Sequence, residues 1–397
     1  MSGKKVVQFV KTFEGALWAV QQVKNLQSNG WDVHVVSPSL EGRYSSEWQK
    51  TGATLHALPC EFPVKSPWLL PSIKEQLVTF INEIKPDLIH SHFVSTTLML
   101  RYALKDSSIP RIFQVPGPLH LEHPVFGQWE TMWSDANDYW IASSDFIKSL
   151  YTKRYSVDSR RIYKSYYGTE INEESSARTG NLRQKYSIPE SATLVGNVSF
   201  IYPPKHYLGQ TTGLKGHELM IDALAEVMEK NEDLWAVFIG QQWGKSQNYF
   251  EKLKKYAEKK SSRIIFTGYI PQKEILSIWK EFDLALHLPS SENCGGVIEP
   301  MINNVPTIAS NVGGLPEVVL EGKTGFITER KVERIVEKIN KFLSHPEEGK
   351  ALAKNGKVLV STMFDVKRTS REIGEIYEHI LGFRNERPDF DANKFLR

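Results

Sequence analysis

The sequence predicts an α/β protein of two doubly wound domains, each a parallel sheet with helices on both faces. Three observations lead there. Short β-rich runs alternate with helical patterns, which implies parallel strands joined through helices. The alternation pauses near residue 170 and restarts after a polar stretch. The 397 residues, 41% hydrophobic and 24% charged, are enough for about two to three domains of ordinary soluble composition.

The elements follow in order. Val6–Val10 is the first strand. Ala16, Ala19, Val20 and Val23 recur at helical spacing until Asn29-Gly30 ends the helix. Trp31–Val36 is the second strand. Ile73, Leu77, Phe80, Ile81 and Ile84 form one apolar helix face, read as core rather than as a membrane-facing stripe, and Lys85-Pro86 stops that helix. Asp87–Ile89, Ile112–Val115 and Tyr139–Ala142 are further strands. The polar INEESSARTGNLRQ reads as a linker. Beyond it, Thr193–Ser199, Trp235–Ile239, Ile264–Phe266, Leu284–Leu288 and Thr307–Ala309 are strands, and Leu214–Glu229 is helical. A last helix, about Arg368–Leu381, is expected to return to the first domain. The expected division is therefore 1–170 with 368–384, then 171–367, then a loose polar tail over 385–397.

Composition removes several classes. Lysine plus arginine number 49 against 46 acidic residues, a net charge of +3. Residues 1–170 hold 18 basic and 16 acidic residues, so no basic arm exists and a nucleic-acid partner is not expected. Two cysteines far apart, Cys60 and Cys294, exclude a disulfide framework and fit a reducing compartment. The opening residues lack the apolar run of a signal peptide, and no stretch approaches a membrane span; a cytoplasmic protein is the expectation.

Four segments of the second half could carry chemistry. Lys215, in LKGH at a helix start, adds its charge to the positive end of the helix dipole and so favours a phosphate; the plain alternative is an exposed lysine beside a cap. FIYPPKHYLGQTTG, Phe200–Gly213, is long for a strand-to-helix connection and brings Lys205 and His206. In PSSENCGGVIEPM, Glu292 precedes Gly295-Gly296, whose backbone can approach a ligand closely. Glu299 follows inside the helix, where a carboxylate can bind ribose hydroxyls or simply satisfy the dipole. SNVGGLPEVV places Gly313-Gly314 before a further helix start, with Pro316 near its first turn.

The ordered set Lys215-Gly216, Glu292…Glu299 and PTIASNVGGLPEVV resembles the family 4 (group 1) glycosyltransferases. The resemblance runs over nearly the whole chain. It is supported by Ile239-Gly240, Phe266-Thr267-Gly268, GKTGF at Gly322–Phe326, the closing EIYEHIL, and YYGTEIN at the domain junction. SENCGG and PPK…GLKGHE look like one bacterial, polysaccharide-type subgroup. The resemblance implies the GT-B fold: two Rossmann-like domains facing across a cleft, with a nucleotide-sugar donor held mainly by the second. It implies a retaining enzyme that needs no cofactor or metal. Base recognition in the family is largely by backbone, so no residue fixes UDP over GDP or ADP, and a UDP-sugar is the expected donor. The implied acceptor is a glycan or lipid-linked saccharide, with peripheral contact at the inner face of the membrane.

The resemblance also assigns roles. Lys215 would bind the donor diphosphate and Glu299 the ribose, while Glu292 would contact the donor sugar or its phosphate. Backbone near Cys294, Gly295 and Gly296 would assist, and the Cys294 thiol would line the site. The sequence departs from the family pattern in four places. Six residues, not seven, separate the two glutamates. Asn197 stands near where an arginine is usual, and Lys205 is the expected substitute cation. The first glycine-rich loop shrinks to Phe13-Glu14-Gly15, leaving Glu14 and Gly15 as acceptor-side candidates. Pro116 replaces the usual histidine, and His120, with His123 beside it, is the expected stand-in.

Competing readings are weaker. His90, His92, His120 and His123 could suggest zinc, but no cysteine joins them. Asp389-Phe390-Asp391 mimics a metal-binding pair of another glycosyltransferase fold, yet lies in the tail. A hydride-transferring enzyme would want G-x-G-x-x-G after the first strand, where KTFEGALW stands. A non-catalytic nucleotide-sugar sensor and a glycoside phosphorylase are the remaining alternatives.

Overall fold

The structure, a computed structural model, describes residues 4–390 apart from 124, 172–177, 207–208 and 245, and leaves the side chains of Gln272 and Lys273 undescribed. The chain divides into two units: residues up to Ile171 together with those from Met363 onward, and Asn172–Thr362.

The first unit is built on strands β1 (Lys5–Phe9), β2 (Asp32–Ser37), β3 (Thr54–Ala57), β4 (Leu88–Ser91), β5 (Arg111–Val115), β6 (Asp138–Ala142) and β7 (Ile162–Lys164). Among the described residues they form one sheet in the order β3-β2-β1-β4-β5-β6-β7, with every pairing parallel. Register is set where Phe9 lies beside Val36 on one side and Ser91 on the other. The central strands are buried along nearly their whole length, as a sheet covered on both faces requires. The helix Leu70–Ile84 buries Ile73, Leu77 and Ile81, and it stops at Lys85, which takes a left-handed φ of +52° before Pro86. Its apolar stripe is therefore core.

The C-terminal helix Val366–Ile380 belongs to this unit. Asp365 caps it by accepting from the Lys367 N–H at 3.0 Å. Ile373, Ile376 and Tyr377 are fully buried against Trp31, Val33 and the helix Leu17–Ser28. Burying each such side chain contributes about 1.5–3 kcal/mol. The Tyr377 hydroxyl accepts from Gln8 Nε2 at 3.1 Å and bonds His90 Nδ1. Beside it His92 Nε2 meets Gln8 Oε1 at 3.0 Å. The two histidines are thus structural, and burial lowers both pKa values, that of His92 to about 3. Among the described residues no three His, Cys, Asp or Glu side chains gather as a metal site.

The second unit carries β8 (Thr193–Val198), β9 (Leu234–Ile239), β10 (Ile264–Gly268), β11 (Leu284–His287), β12 (Thr307–Ser310) and β13 (Phe326–Thr328). Their order is β10-β9-β8-β11-β12-β13, again parallel throughout. One face packs helices His217–Met228, Asn248–Lys260 and Val332–Ser344 through Leu224, Leu253 and Ile339; the other packs Trp279 and Phe282. Strand order reverses between β8 and β11, so loops leaving their carboxyl ends splay apart and leave room for a ligand.

Several expectations need correction. SNVGGLPEVV opens only a 3₁₀ turn at Leu315–Glu317, not an α-helix. Within the expected linker, Asn181–Lys185 is a short helix, while 172–177 lie outside the described residues. The tail is held as far as Phe390. Arg387 donates to the carbonyls of Ser159, Arg160 and Ile162 and its guanidinium lies 4.2 Å from the Tyr163 ring centre, while Phe390 packs on the first unit's core. Asp391 lies outside the described residues. No helix among the described residues is long and apolar enough to cross a membrane.

Candidate functional site

The site is assembled by three loops at the carboxyl edge of the second sheet. Lys215 follows β8 and immediately precedes Gly216, the cap of helix His217–Met228, which takes φ +72°. Glu292 follows β11, ahead of the helix Gly295–Ile302. Because β8 and β11 are neighbours, the loops meet: the Ser290 N–H donates to the Leu214 carbonyl at 2.8 Å. There the Lys215 ammonium bonds Glu292 Oε2, with side chains 15% and 16% exposed. The third loop, after β12, runs directly beneath. A Cβ on Gly313, at φ +58°, would fall 1.7 Å from the Glu292 carbonyl oxygen, so only glycine fits there.

Two further groups hold the carboxylate. His287, the last residue of β11, places Nε2 3.3 Å from Glu292 Oε2, and the Asn293 N–H donates to Oε1 at 3.2 Å. Burial alone would raise the Glu292 carboxyl, but the Lys215 charge and the His287 contact outweigh it and hold the group well below the usual carboxylate range. Burial lowers the His287 pKa, and it lowers that of His217, behind Lys215, to about 3. At neutral pH the cluster is therefore one ammonium, one carboxylate and neutral imidazoles.

The other expected donor-side residues are placed as follows. Glu299 lies in the second turn of Gly295–Ile302, where its Oε2 accepts from Trp279 Nε1 at 3.1 Å. A Cβ on Gly295 would meet nothing within 4 Å, so backbone at the helix start stands open. Gly296 is tight for a different reason: a Cβ would come 2.1 Å from the His287 ring. Cys294 caps this helix but turns its thiol inward, where Sγ lies 3.3 Å from the Gly314 carbonyl, so the expectation that the thiol lines the site is corrected. Asn197 is buried and spends its amide on the Leu286 carbonyl at 2.8 Å. Lys205 is exposed, and its backbone N–H donates to Gln210 Oε1 at 2.9 Å; Tyr207 and Leu208 of the same insertion lie outside the described residues.

The insertion contributes something that spacing did not reveal. Tyr202 lies under Lys215, the ammonium 6.0 Å from its ring centre, and stacks with the exposed Trp243 of the loop after β9. Arg330, after β13, is a second cation nearby: its Nε donates to the Leu288 carbonyl at 3.2 Å, and its guanidinium lies 3.6 Å from where a Gly216 Cβ would be. It was hidden because β13 has three residues and no strong pattern. His287 had one visible signal, a polar residue closing the otherwise apolar strand LALH.

In the first unit, Glu14 is exposed and its N–H donates to Thr12 Oγ1 at 3.0 Å, while Gly15 has open space around it. His120 lies after β5, with Nε2 3.1 Å from the Tyr151 hydroxyl; burial lowers its pKa to about 4. His123 uses Nδ1 to accept from the N–H groups of Val125 and Phe126 at 3.2 and 3.4 Å. Those N–H groups belong to the first residue of the helix Phe126–Met132 and to Val125 before it.

Comparison with known proteins agrees with this fold. The profile for Glycosyl transferases group 1 matches residues 206–359, and that for Glycosyltransferase Family 4 matches 17–172. The chain belongs to the family 4, group 1 glycosyltransferases, and its fold is GT-B. Spore coat protein SA of Bacillus subtilis is 24% identical over 60% of this chain, and the chain covers 64% of that protein's length. The capsular polysaccharide biosynthesis glycosyltransferase CapM of Staphylococcus aureus is 21% identical over 96% of this chain and 98% of its own. Anabaena Alr3699/HepE, solved in complex with UDP-glucose, superposes with a TM-score of 0.78 over 94% of this chain and 99% of its own, at 18% identity.

Proposed function

We propose that this protein is a retaining glycosyltransferase. It moves a sugar from a nucleotide-diphosphate sugar, foremost a UDP-sugar, to a hydroxyl of a glycan or lipid-linked saccharide in surface polysaccharide synthesis. It works in the cytoplasm, with peripheral contact at the membrane's inner face, and without metal or cofactor. The observation that carries the reading is the meeting of Lys215 and Glu292 at the strand-order reversal of the second sheet. UDP-glucose bound to Alr3699/HepE and the capsule role in CapM's name support the donor and acceptor classes.

The chemistry follows from the leaving group. Breaking the anomeric bond passes through an oxocarbenium-like state while negative charge grows on the departing diphosphate. Lys215, with the backbone N–H groups at the start of Gly295–Ile302, would stabilise that charge by fixed electrostatics. Glu299 would hold the ribose hydroxyls. The incoming hydroxyl would pass its proton to the diphosphate on the same face, giving retention. Lys205 or Arg330 would supply further positive charge, and Glu14, Gly15, His120 and His123 would face the acceptor.

A thermal-shift screen against nucleotide sugars tests the donor, since a ligand that binds only the native state raises stability. A UDP-sugar that raises the midpoint, is then cleaved, and yields a product of unchanged anomeric configuration by NMR is the expected result. No shift with any donor would sink the reading. Binding without cleavage would make the protein a sensor, and a strict phosphate requirement would make it a phosphorylase.

A further inference from the structure

The Lys215 ammonium already has an anion. Glu292 Oε2 receives both Lys215 and His287, while Oε1 receives the Asn293 N–H. A diphosphate arriving at Lys215 therefore meets a carboxylate on the same cation, and two anions sharing one ammonium repel each other. The carboxylate must then yield the ammonium, and a largely buried carboxylate that loses its cation needs other donors. His287 is placed to be one. Its backbone is pinned in β11 beside Ala309, and its ring has no room to retreat toward Gly296.

We propose that Glu292 is a built-in counter-ion which the donor's diphosphate displaces from Lys215, and that His287 is the positioning residue that keeps hold of Glu292 when this happens. The inference rests on the reading of the site as a nucleotide-diphosphate site. Before binding, Lys215 and His287 share one carboxylate oxygen. After binding, the ammonium turns to the diphosphate, and His287 Nε2 and the Asn293 N–H remain, one donor for each oxygen. Glu292 thus holds Lys215 in an extended, ready conformation without a ligand, at the expense of competing with the ligand.

The test is a double-mutant cycle on UDP binding, read by calorimetry, with thermal melts of each variant and inorganic diphosphate as a second probe. Glu292→Gln removes the competing charge, so UDP binds about tenfold more tightly. His287→Leu leaves a released carboxylate without its donor, so UDP binds about tenfold more weakly. In the Glu292→Gln background the His287→Leu penalty disappears, because no carboxylate remains to be held. His287→Gln, whose amide N–H can donate, restores most of the affinity. A merely structural histidine would give the same penalty in both backgrounds, and that additive result overturns the proposal, as does weaker binding by Glu292→Gln. Should His287→Leu fail to fold, Gly296→Ala displaces the same ring and is read in the same cycle. Wild-type protein that binds neither UDP nor inorganic diphosphate overturns the nucleotide reading and this inference together; binding with additive variants overturns the inference alone.

Discussion

Lys215→Met separates the structural from the catalytic work of the cluster. Both members of the pair are about one-sixth exposed. Breaking a fully buried pair by removing one partner costs about 3–5 kcal/mol, mostly because the other charge is stranded. Here His287 and the Asn293 N–H remain on the carboxylate, and water reaches part of it, so about 2 kcal/mol is expected. For a domain of this size class that lowers the melting transition of the second unit by about 4–8 °C. Adding Glu292→Gln removes the stranded charge and recovers more than half of the loss. The Glu292 carboxyl is depressed in the folded state, so its stabilising contribution is present above the ordinary carboxylate pKa of about 4.3 and fades as pH falls. In Lys215→Met that acid dependence shrinks. Scanning calorimetry at pH 7.5 and pH 4 reads all three effects. A variant melting within about 1 °C of wild type, or a double variant with no recovery, would refute the argument that Glu292 depends on Lys215. Turnover is the separate reading: loss of one donor to the leaving group costs about a hundredfold or more. Full turnover in a folded Lys215→Met protein would remove the lysine from the mechanism.

Tyr377→Phe strips the hydroxyl shared by His90 and Gln8, leaving buried polar groups unpaired, so the first unit loses about 1–3 kcal/mol while the second unit's transition stays put. Equal loss in both units in a chemical denaturation series would contradict that placement. Acid weakens the fold through its buried histidines. Their folded pKa values, about 3 for His92 and His217 and about 4 for His120, lie below the ordinary 6.5. The unfolded chain therefore takes up protons first as pH falls from 6.5 toward 4, and each group contributes about 1.4 kcal/mol per pH unit. Urea midpoints should fall steadily from pH 7 to pH 5, and a flat profile would mean these rings are not buried neutral. Removing divalent ions with EDTA should leave turnover unchanged; a loss restored by added magnesium or manganese would replace the metal-free reading.

How much was legible in the sequence follows from burial. The central strands β1, β4, β8 and β11 are flanked on both sides and covered on both faces, so each carries a short apolar run, such as Val6-Val7, Leu88-Ile89, Leu194-Val195 and Leu284–Leu286, that announces it. The strands left unread, β3, β7 and β13, each lie at a sheet edge and have three or four residues. β3, TLHA, has no fully buried position and hence no apolar run to read. The same limit acts on the site. Lys215 and Glu292 sit in loops marked by glycines and so were visible, whereas Arg330 follows an edge strand that was not. Tyr202 and Trp243 meet only because β8 and β9 are neighbours, a fact of sheet order that spacing along the chain does not express.

The short spacing between Glu292 and Glu299 bears on whether the site is intact, and the structure shows why one residue can be lost there. Had both carboxylates stood on one helix, deleting a residue would have rotated one relative to the other by about 100°. They do not. Glu299 takes its direction from the helix Gly295–Ile302 and its contact with Trp279. Glu292 lies ahead of that helix, on a loop seated against Gly313 and tied to Leu214 through Ser290. Its carboxylate is aimed by Lys215, from the start of the helix His217–Met228, and by His287, from the end of β11. The two glutamates are therefore positioned by independent supports, and the residues between them need only connect the two. Glu292 follows β11 by a short loop, and the group that closes that strand is His287. The histidine and the shortened spacing belong together on this account: inserting one residue between Asn293 and Gly295 should weaken the His287–Glu292 contact while leaving Glu299 on Trp279. The expected signature is a loss of the His287-dependent part of UDP affinity with an unchanged tryptophan environment, and a simultaneous loss of both would show that the loop and helix move as one piece.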